Sequence, residues 1–160
     1  KQMIKKTYFV DISNLGNTWN NFSKSKKYDI KKCGEDVFIT DNIRKFNTFH
    51  HNSRPDRKID FDFIQKTYLE RQPNCRIYAT KTAMAMISWD KDTGYYLLAG
   101  RDKIKSDGSP SKILWQAMQD LNKMGIKEMN LCGANHPNII LFKRDFGGQL
   151  CDQIRPCLNY

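Results

Sequence analysis

Ten residues near the C-terminal end, Leu141-Phe142-Lys143-Arg144-Asp145-Phe146-Gly147-Gly148-Gln149-Leu150, combine a lysine able to act on charge with a backbone corner able to hold it. Phe142 and Phe146 stand four apart, so one helical turn puts both rings on the same face. Lys143, Arg144 and Asp145 then crowd the opposite side. Gly147-Gly148 can take backbone angles closed to other residues, so the chain can stop and reverse there. A cation fixed beside such a corner can stabilise negative charge developing on a reacting carbonyl. The same residues would also serve as a two-ring core plug with solvated charges.

Other candidate chemistry is scattered. A general base could come from Asp11, Glu70 or Asp145, the carboxylates nearest the informative segments, or from the Tyr95-Tyr96 pair. Alternation along a strand sends one of these tyrosines to each sheet face, so one, taken as Tyr96, could line a cleft. His136, just before Pro137, sits in the turn leading to Phe142-Lys143 and is a site-edge candidate, whereas His50-His51 close a helix and satisfy its last carbonyls. Asn130 stands near the C-terminal end of a strand, where small polar side chains often line α/β clefts. Five cysteines, Cys33, Cys75, Cys132, Cys151 and Cys157, show no Cys-x-x-Cys spacing, so neither a disulfide framework nor a metal site is expected. Reduced, partly buried thiols are the expectation, with Cys132 as an alternative nucleophile.

The elements that must position these groups follow from pattern. Thr7, Tyr8, Phe9, Val10 and Ile12 predict a strand at 6–12. Ser13-Asn14 would cap one helix running through Trp19, Phe22 and Tyr28 to Cys33-Gly34. Val37-Phe38-Ile39 is a second strand, and Ile43, Phe46 and Phe49 recur at helical spacing up to His50-His51. A polar loop at 52–57 precedes a helix over 60–72, which Pro73 breaks. Strands at 76–79, 83–89 and 94–99 are joined by turns short enough for antiparallel hairpins. A helix over 109–124, a strand over 127–132, a helix at about 137–145 and a strand from Gly148 complete the chain. The expected architecture is a single α/β (α+β) domain over 1–160, with a mixed, mostly antiparallel sheet flanked by helices.

The order of these pieces resembles a known family. An aromatic strand (Gly94-Tyr95-Tyr96-Leu97-Leu98-Ala99-Gly100) leads to a helix opened by Ser109-Pro110-Ser111. A strand ending Cys132-Gly133-Ala134 and the Phe142-Lys143-x-x-Phe146-Gly147-Gly148 segment follow. This succession resembles the Fem-type aminoacyltransferases (FemAB-like) and their relatives in the GNAT acyltransferase superfamily, over most of residues 7–150. The resemblance implies a GNAT fold and transfer of an acyl or aminoacyl group, from acyl-CoA or aminoacyl-tRNA, to a small amine or peptide acceptor. It implies that Lys143 stabilises charge on the donor ester while Phe142 packs against the donor. Donor phosphate would lie at the helix start formed by Gly108, Ser109 and Ser111, with Arg101 ahead of it, because a helix N-terminus favours anions. The glycine-rich acetyl-CoA signature of N-acetyltransferases is absent, and Asp102 and Asp107 would repel phosphate. Two GNAT-like units are common in Fem-type proteins, and this length holds one.

Composition is compatible with that reading. The chain has 160 residues, 39% of them hydrophobic and 28% charged, with a net charge of +10. No apolar run approaches the roughly 20 residues needed to span a bilayer, and no signal peptide is recognisable, so a cytoplasmic protein is expected. Eight lysines within residues 1–32 face only Asp11 and Asp29. Such a basic surface favours polyanions, tRNA among them, and leaves open a non-catalytic GNAT-like domain that binds nucleic acid or another polyanion.

Overall fold

Strand β1 (Lys5–Asp11), built on the β-branched and aromatic run beginning at Thr7, lies inside the sheet between two strands from the far end of the chain. The computed structural model describes residues 5–57, 59–102, 107–133 and 136–153. Among them the remaining elements are α1 (Leu15–Asn21), α2 (Lys24–Lys32), β2 (Phe38–Thr40), α3 (Ile43–Ser53) and α4 (Phe61–Glu70). Then come β3 (Cys75–Ala79), β4 (Ala83–Trp89), β5 (Thr93–Arg101), α5 (Ser109–Lys123), β6 (Glu128–Gly133), α6 (Pro137–Arg144) and β7 (Gln149–Gln153). Ala134 and Cys157 lie outside the described residues.

The sheet runs β2-β3-β4-β5-β6-β1-β7. Every neighbouring pair is antiparallel except β5 and β6, which are parallel and need the α5 crossover to connect them. β4 reads as an unbroken apolar run because both its faces are covered. Ala83, Ala85 and Ile87 join a core with Ile113, Leu114 and Met118 of α5, whereas Met84 and Met86 join one with Phe46, Phe49 and Ile64 of α3 and α4.

One expected helix is two. Phe22 leaves the helical region at ψ 144°, and the Ser23 hydroxyl accepts the Lys26 backbone N–H at 3.1 Å, capping α2 afresh. Serine's ability to bond the backbone locally competes with helix continuation, and here it wins because Phe22 turns inward onto Phe146 and Trp115. The Gly-Gly corner behaves as read: Gly147 takes φ 68°, next to the backbone of Asn21, where a side chain would not fit.

The parallel pair sets up the site. Its ladder is confined to Thr93–Tyr95 against Glu128–Asn130, although β5 continues to Arg101 and β6 to Gly133. β5 also carries an irregularity where Met86 pairs with Leu98 and Ile87 with Tyr96, leaving Leu97 between them. Near the end of β6, Cys132 adopts φ 58°, a left-handed conformation uncommon outside glycine. The two strands therefore part beyond Tyr95 and Asn130.

Candidate functional site

Where β5 and β6 separate, a cavity of about 650 Å³ opens between α2, α3, α6, β5 and the start of α5. Lys143 reaches it from α6. Its side chain is buried, and Nζ donates to the carbonyl oxygens of Gly133 at 2.7 Å and Cys132 at 3.2 Å. The ammonium also stands 5.6 Å from the centre of the Tyr96 ring. No carboxylate pairs with it among the described residues. Burial, reinforced by the charges of Arg57 and Arg54, lowers the Lys143 pKa to about 7.

The kink at Cys132 is what aims those carbonyls. Asn130 Oδ1 accepts the Cys132 N–H at 2.7 Å, and the Thr7 hydroxyl lies 2.8 Å from that same oxygen and 2.9 Å from the Cys132 carbonyl. Asn130 and Thr7 are both buried, so these bonds have little competition from water. Asn130 thus does not line the cavity as expected of it; it holds the turn that holds Lys143.

Seven of the nine residues singled out from sequence line the cavity: Lys143, Tyr96, His136, Gly108, Ser111, Phe142 and Arg101. Burial raises the Tyr96 phenol pKa, keeping it protonated. His136 precedes α6 and is exposed at the edge. Tyr95 takes the other sheet face, where its hydroxyl donates to Asp90 at 2.7 Å. Ser109 is the second exception. Its backbone N–H donates to Asp107 Oδ1 at 2.9 Å and its hydroxyl meets Thr82 at 3.0 Å, so a carboxylate of the chain itself occupies that amide.

The carboxylates proposed as bases lie elsewhere. Asp11 bonds Ser13, Glu70 pairs with Lys66 at 3.8 Å, and Asp145 pairs with Arg144 at 3.6 Å. Asp29 and Asp56 line the cavity instead. Asp56 is clamped by Arg54 through two bonds of 3.0 and 3.1 Å, which lower its pKa to about 2. Cys33, Cys75 and Cys151 are free thiols, but Cys132 is disulfide-bonded, which removes it as a thiolate nucleophile and departs from the all-reduced expectation.

Lys26 and His50 also line the cavity, though neither is a site candidate from sequence. Lys26 belongs to a stretch read as a solvated basic face, yet it is buried, donates to Ser111 at 3.0 Å, and lies 3.8 and 4.4 Å from the centres of the Phe142 and Phe146 rings. Burial lowers its pKa to about 8 against the pull of Asp145 and Asp29. The spacing Phe22-Lys26-Ile30, with both apolar members buried, was the available signal. His50, expected to satisfy helix-end carbonyls, instead faces β5 and pairs with Ala99.

The seven-stranded, mostly antiparallel sheet with one parallel pair and flanking helices has the GNAT-like α+β architecture. Within that class the chain superimposes on the crystal structure of FemX with a TM-score of 0.84 at 11% identity, covering 93% of this chain and 60% of that one. The C-terminal domain of a putative lysylphosphatidylglycerol synthetase from Agrobacterium fabrum matches with a TM-score of 0.61 at 15% identity, covering 91% and 57%. L-PGS from Bacillus licheniformis matches with a TM-score of 0.61 at 12% identity, covering 91% and 57%. At these identities the likeness establishes the fold, and the chain spans 57–60% of the length of these three structures. No family model and no curated protein matches the sequence. Among the described residues no helix is long and apolar enough to cross a membrane.

Proposed function

We propose that this domain transfers an aminoacyl group from aminoacyl-tRNA to an amine, with Lys143 stabilising the oxyanion formed at the donor ester. The observation that carries the reading is a buried ammonium held by two carbonyls at the mouth of a splayed parallel strand pair. An ammonium has three N–H bonds. Two point at Cys132 and Gly133, which leaves one for a carbonyl oxygen brought into the cavity. Preorganised donors of this kind do not need to reorient as charge develops, which is where catalysis gains most.

The donor class rests on charge and likeness together. Arg54, Arg57 and Arg101 line the cavity, suiting a polyanionic donor. The Fem-type resemblance of the sequence, and the fold shared with FemX and with the lysylphosphatidylglycerol synthetase domain, favour an aminoacyl ester over acetyl-CoA. Asp107 across the α5 N-terminus weighs against a coenzyme pyrophosphate at Ser109. A tRNA donor also implies action in the cytoplasm.

The test is transfer of labelled amino acids from charged tRNA to a primary amine, run beside the same assay with acetyl-CoA. Wild type should use the tRNA donor, and Lys143→Met should lose about 100-fold or more in rate. Undiminished transfer by Lys143→Met would refute the role given to this lysine. The basic surface supports a second reading, a polyanion-binding domain without catalysis. In that case tRNA binds in a salt-sensitive way and is released still charged.

A further inference from the structure

The cavity lining also includes His50, on α3, which is 2% exposed. Its Nδ1 lies 2.8 Å from the Ala99 carbonyl oxygen. A carbonyl only accepts, so Nδ1 carries the proton and Nε2 of the neutral ring presents a lone pair. That Nε2 is buried and has no hydrogen-bond partner among the described residues. Leaving such an acceptor unmatched in the interior is costly, because it has given up water for nothing. The surroundings make this more pointed, because the cationic side chains of Arg54, Arg57, Arg101 and Lys143 line the same cavity.

The ring is also rigidly placed. It lies parallel to Phe46, with planes 8° apart and centroids 6.3 Å apart. A Cβ at Gly100 would collide with the backbone of Phe49 and His50, so α3 rests directly on β5 at the level of the cavity. The charged or titratable groups sharing this region are His51 and Arg54 at the end of α3, Asp56 and Arg57 in the loop after it, Tyr96 and Arg101 of β5, and His136 and Lys143 at the two ends of α6, with Lys26 and Asp29 of α2 on the same cavity. Arg54 and Arg57 act electrostatically on His50 and Lys143 alike, which places both groups in one neighbourhood.

Building on the transfer reading, we propose that His50 Nε2 is the general base that takes the proton from the acceptor amine. Nε2 first takes a proton from the ammonium of the acceptor. The freed amine nitrogen then bonds to the ester carbonyl carbon, and the resulting oxyanion faces Lys143. The C–O bond to the donor ribose breaks as the leaving oxygen takes a proton from the attacking nitrogen, and the His50 imidazolium gives its own proton to solvent. Burial, together with Arg57, His51 and Arg54, outweighs the Ala99 carbonyl and keeps the ring below the usual imidazole pKa, which favours release of that proton and recovery of the neutral base.

The test compares two acceptors with bulk tRNA charged with labelled amino acids: cadaverine, which arrives protonated, and hydroxylamine, which arrives neutral. The variant is His50→Asn, whose amide can still donate to Ala99 but offers no acceptor at the Nε2 position. After subtraction of the uncatalysed rate, His50→Asn should lose about 100-fold in kcat/KM with cadaverine. With hydroxylamine it should stay within about threefold of wild type. An unchanged rate with cadaverine, or an equal loss with both acceptors, overturns the base assignment while leaving transfer itself standing. Wild-type protein that transfers to neither acceptor overturns the transfer reading and this one with it. Nitrogen NMR of isotope-labelled histidine in wild-type protein provides a check independent of variant folding: an Nδ1–H tautomer for His50 is required, and an Nε2–H tautomer would refute the proposal.

Discussion

Lys143 Nζ and Asn130 Oδ1 meet the same short turn from opposite sides, the lysine through the carbonyls of Cys132 and Gly133 and the asparagine through the Cys132 N–H. A charge delivered by α6 is thereby fastened to the C-terminal end of β6. Carbonyl dipoles solvate the ammonium in part, but no carboxylate among the described residues neutralises it. The fold consequently holds a group that would be better hydrated outside it.

Lys143→Met should make the protein more stable at neutral and acidic pH. With its pKa lowered to about 7 from 10.5, Lys143 binds fewer protons in the folded than in the unfolded chain between those values. Wild-type stability therefore rises through that window, and the burden of the buried charge is greatest below about pH 7. The variant should gain roughly 1–3 kcal/mol at pH 6, with the gain fading towards pH 10.5. Urea melts across the pH range give the answer, and a gain independent of pH would contradict the assigned shift.

Asn130→Leu should lose about 1–3 kcal/mol, because the Cys132 N–H and the Thr7 hydroxyl would forfeit a buried acceptor. Its transfer rate should also drop about 10- to 100-fold through displacement of Lys143. Asn130→Asp keeps the oxygen and should recover much of both. Equal damage from the two substitutions would show that the acceptor atom is not what matters.

Arg101 is exposed and lines the cavity. Arg101→Ala should leave the melting temperature unchanged, weaken tRNA binding, and lower the slope of log affinity against log salt by about one. Filter binding over a salt series measures this; an identical slope would place the polyanion elsewhere.

Ser23→Ala removes the hydroxyl that caps α2 and should cost about 1 kcal/mol. Ser25→Ala, two residues on, should cost markedly less, since no α2 backbone amide rests on its hydroxyl among the described residues. Thermal melts of the two variants side by side decide whether the cap is what separates α1 from α2.

Much of the fold could be read from the chain because local pattern and tertiary fate agree. The helix expected over 60–72, the apolar run of β4 and the four-residue spacing of Phe142 and Phe146 each announce an element that the structure contains. The site was partly legible for the same reason, since Lys143 and Phe142 sit in one short segment. Lys26 was not, because its burial depends on Ser111, 85 residues away, and on two rings from α6 and the turn that follows it. His50 was missed likewise, its partner being a β5 carbonyl 49 residues on. Ser109 was misjudged for a different reason: Asp107, noted only as repelling phosphate, takes the very amide meant for it.

β1 finds both its neighbours among the last strands, and its link from Thr7 to Asn130 spans 123 residues. During synthesis β1 must therefore wait, unpaired, until β6 and β7 have left the ribosome, as closing so long a loop comes late. The crevice between β5 and β6, and with it the seat of Lys143, comes into being only once β6 and α6 have been made. A chain cut short before them has no such cavity at all.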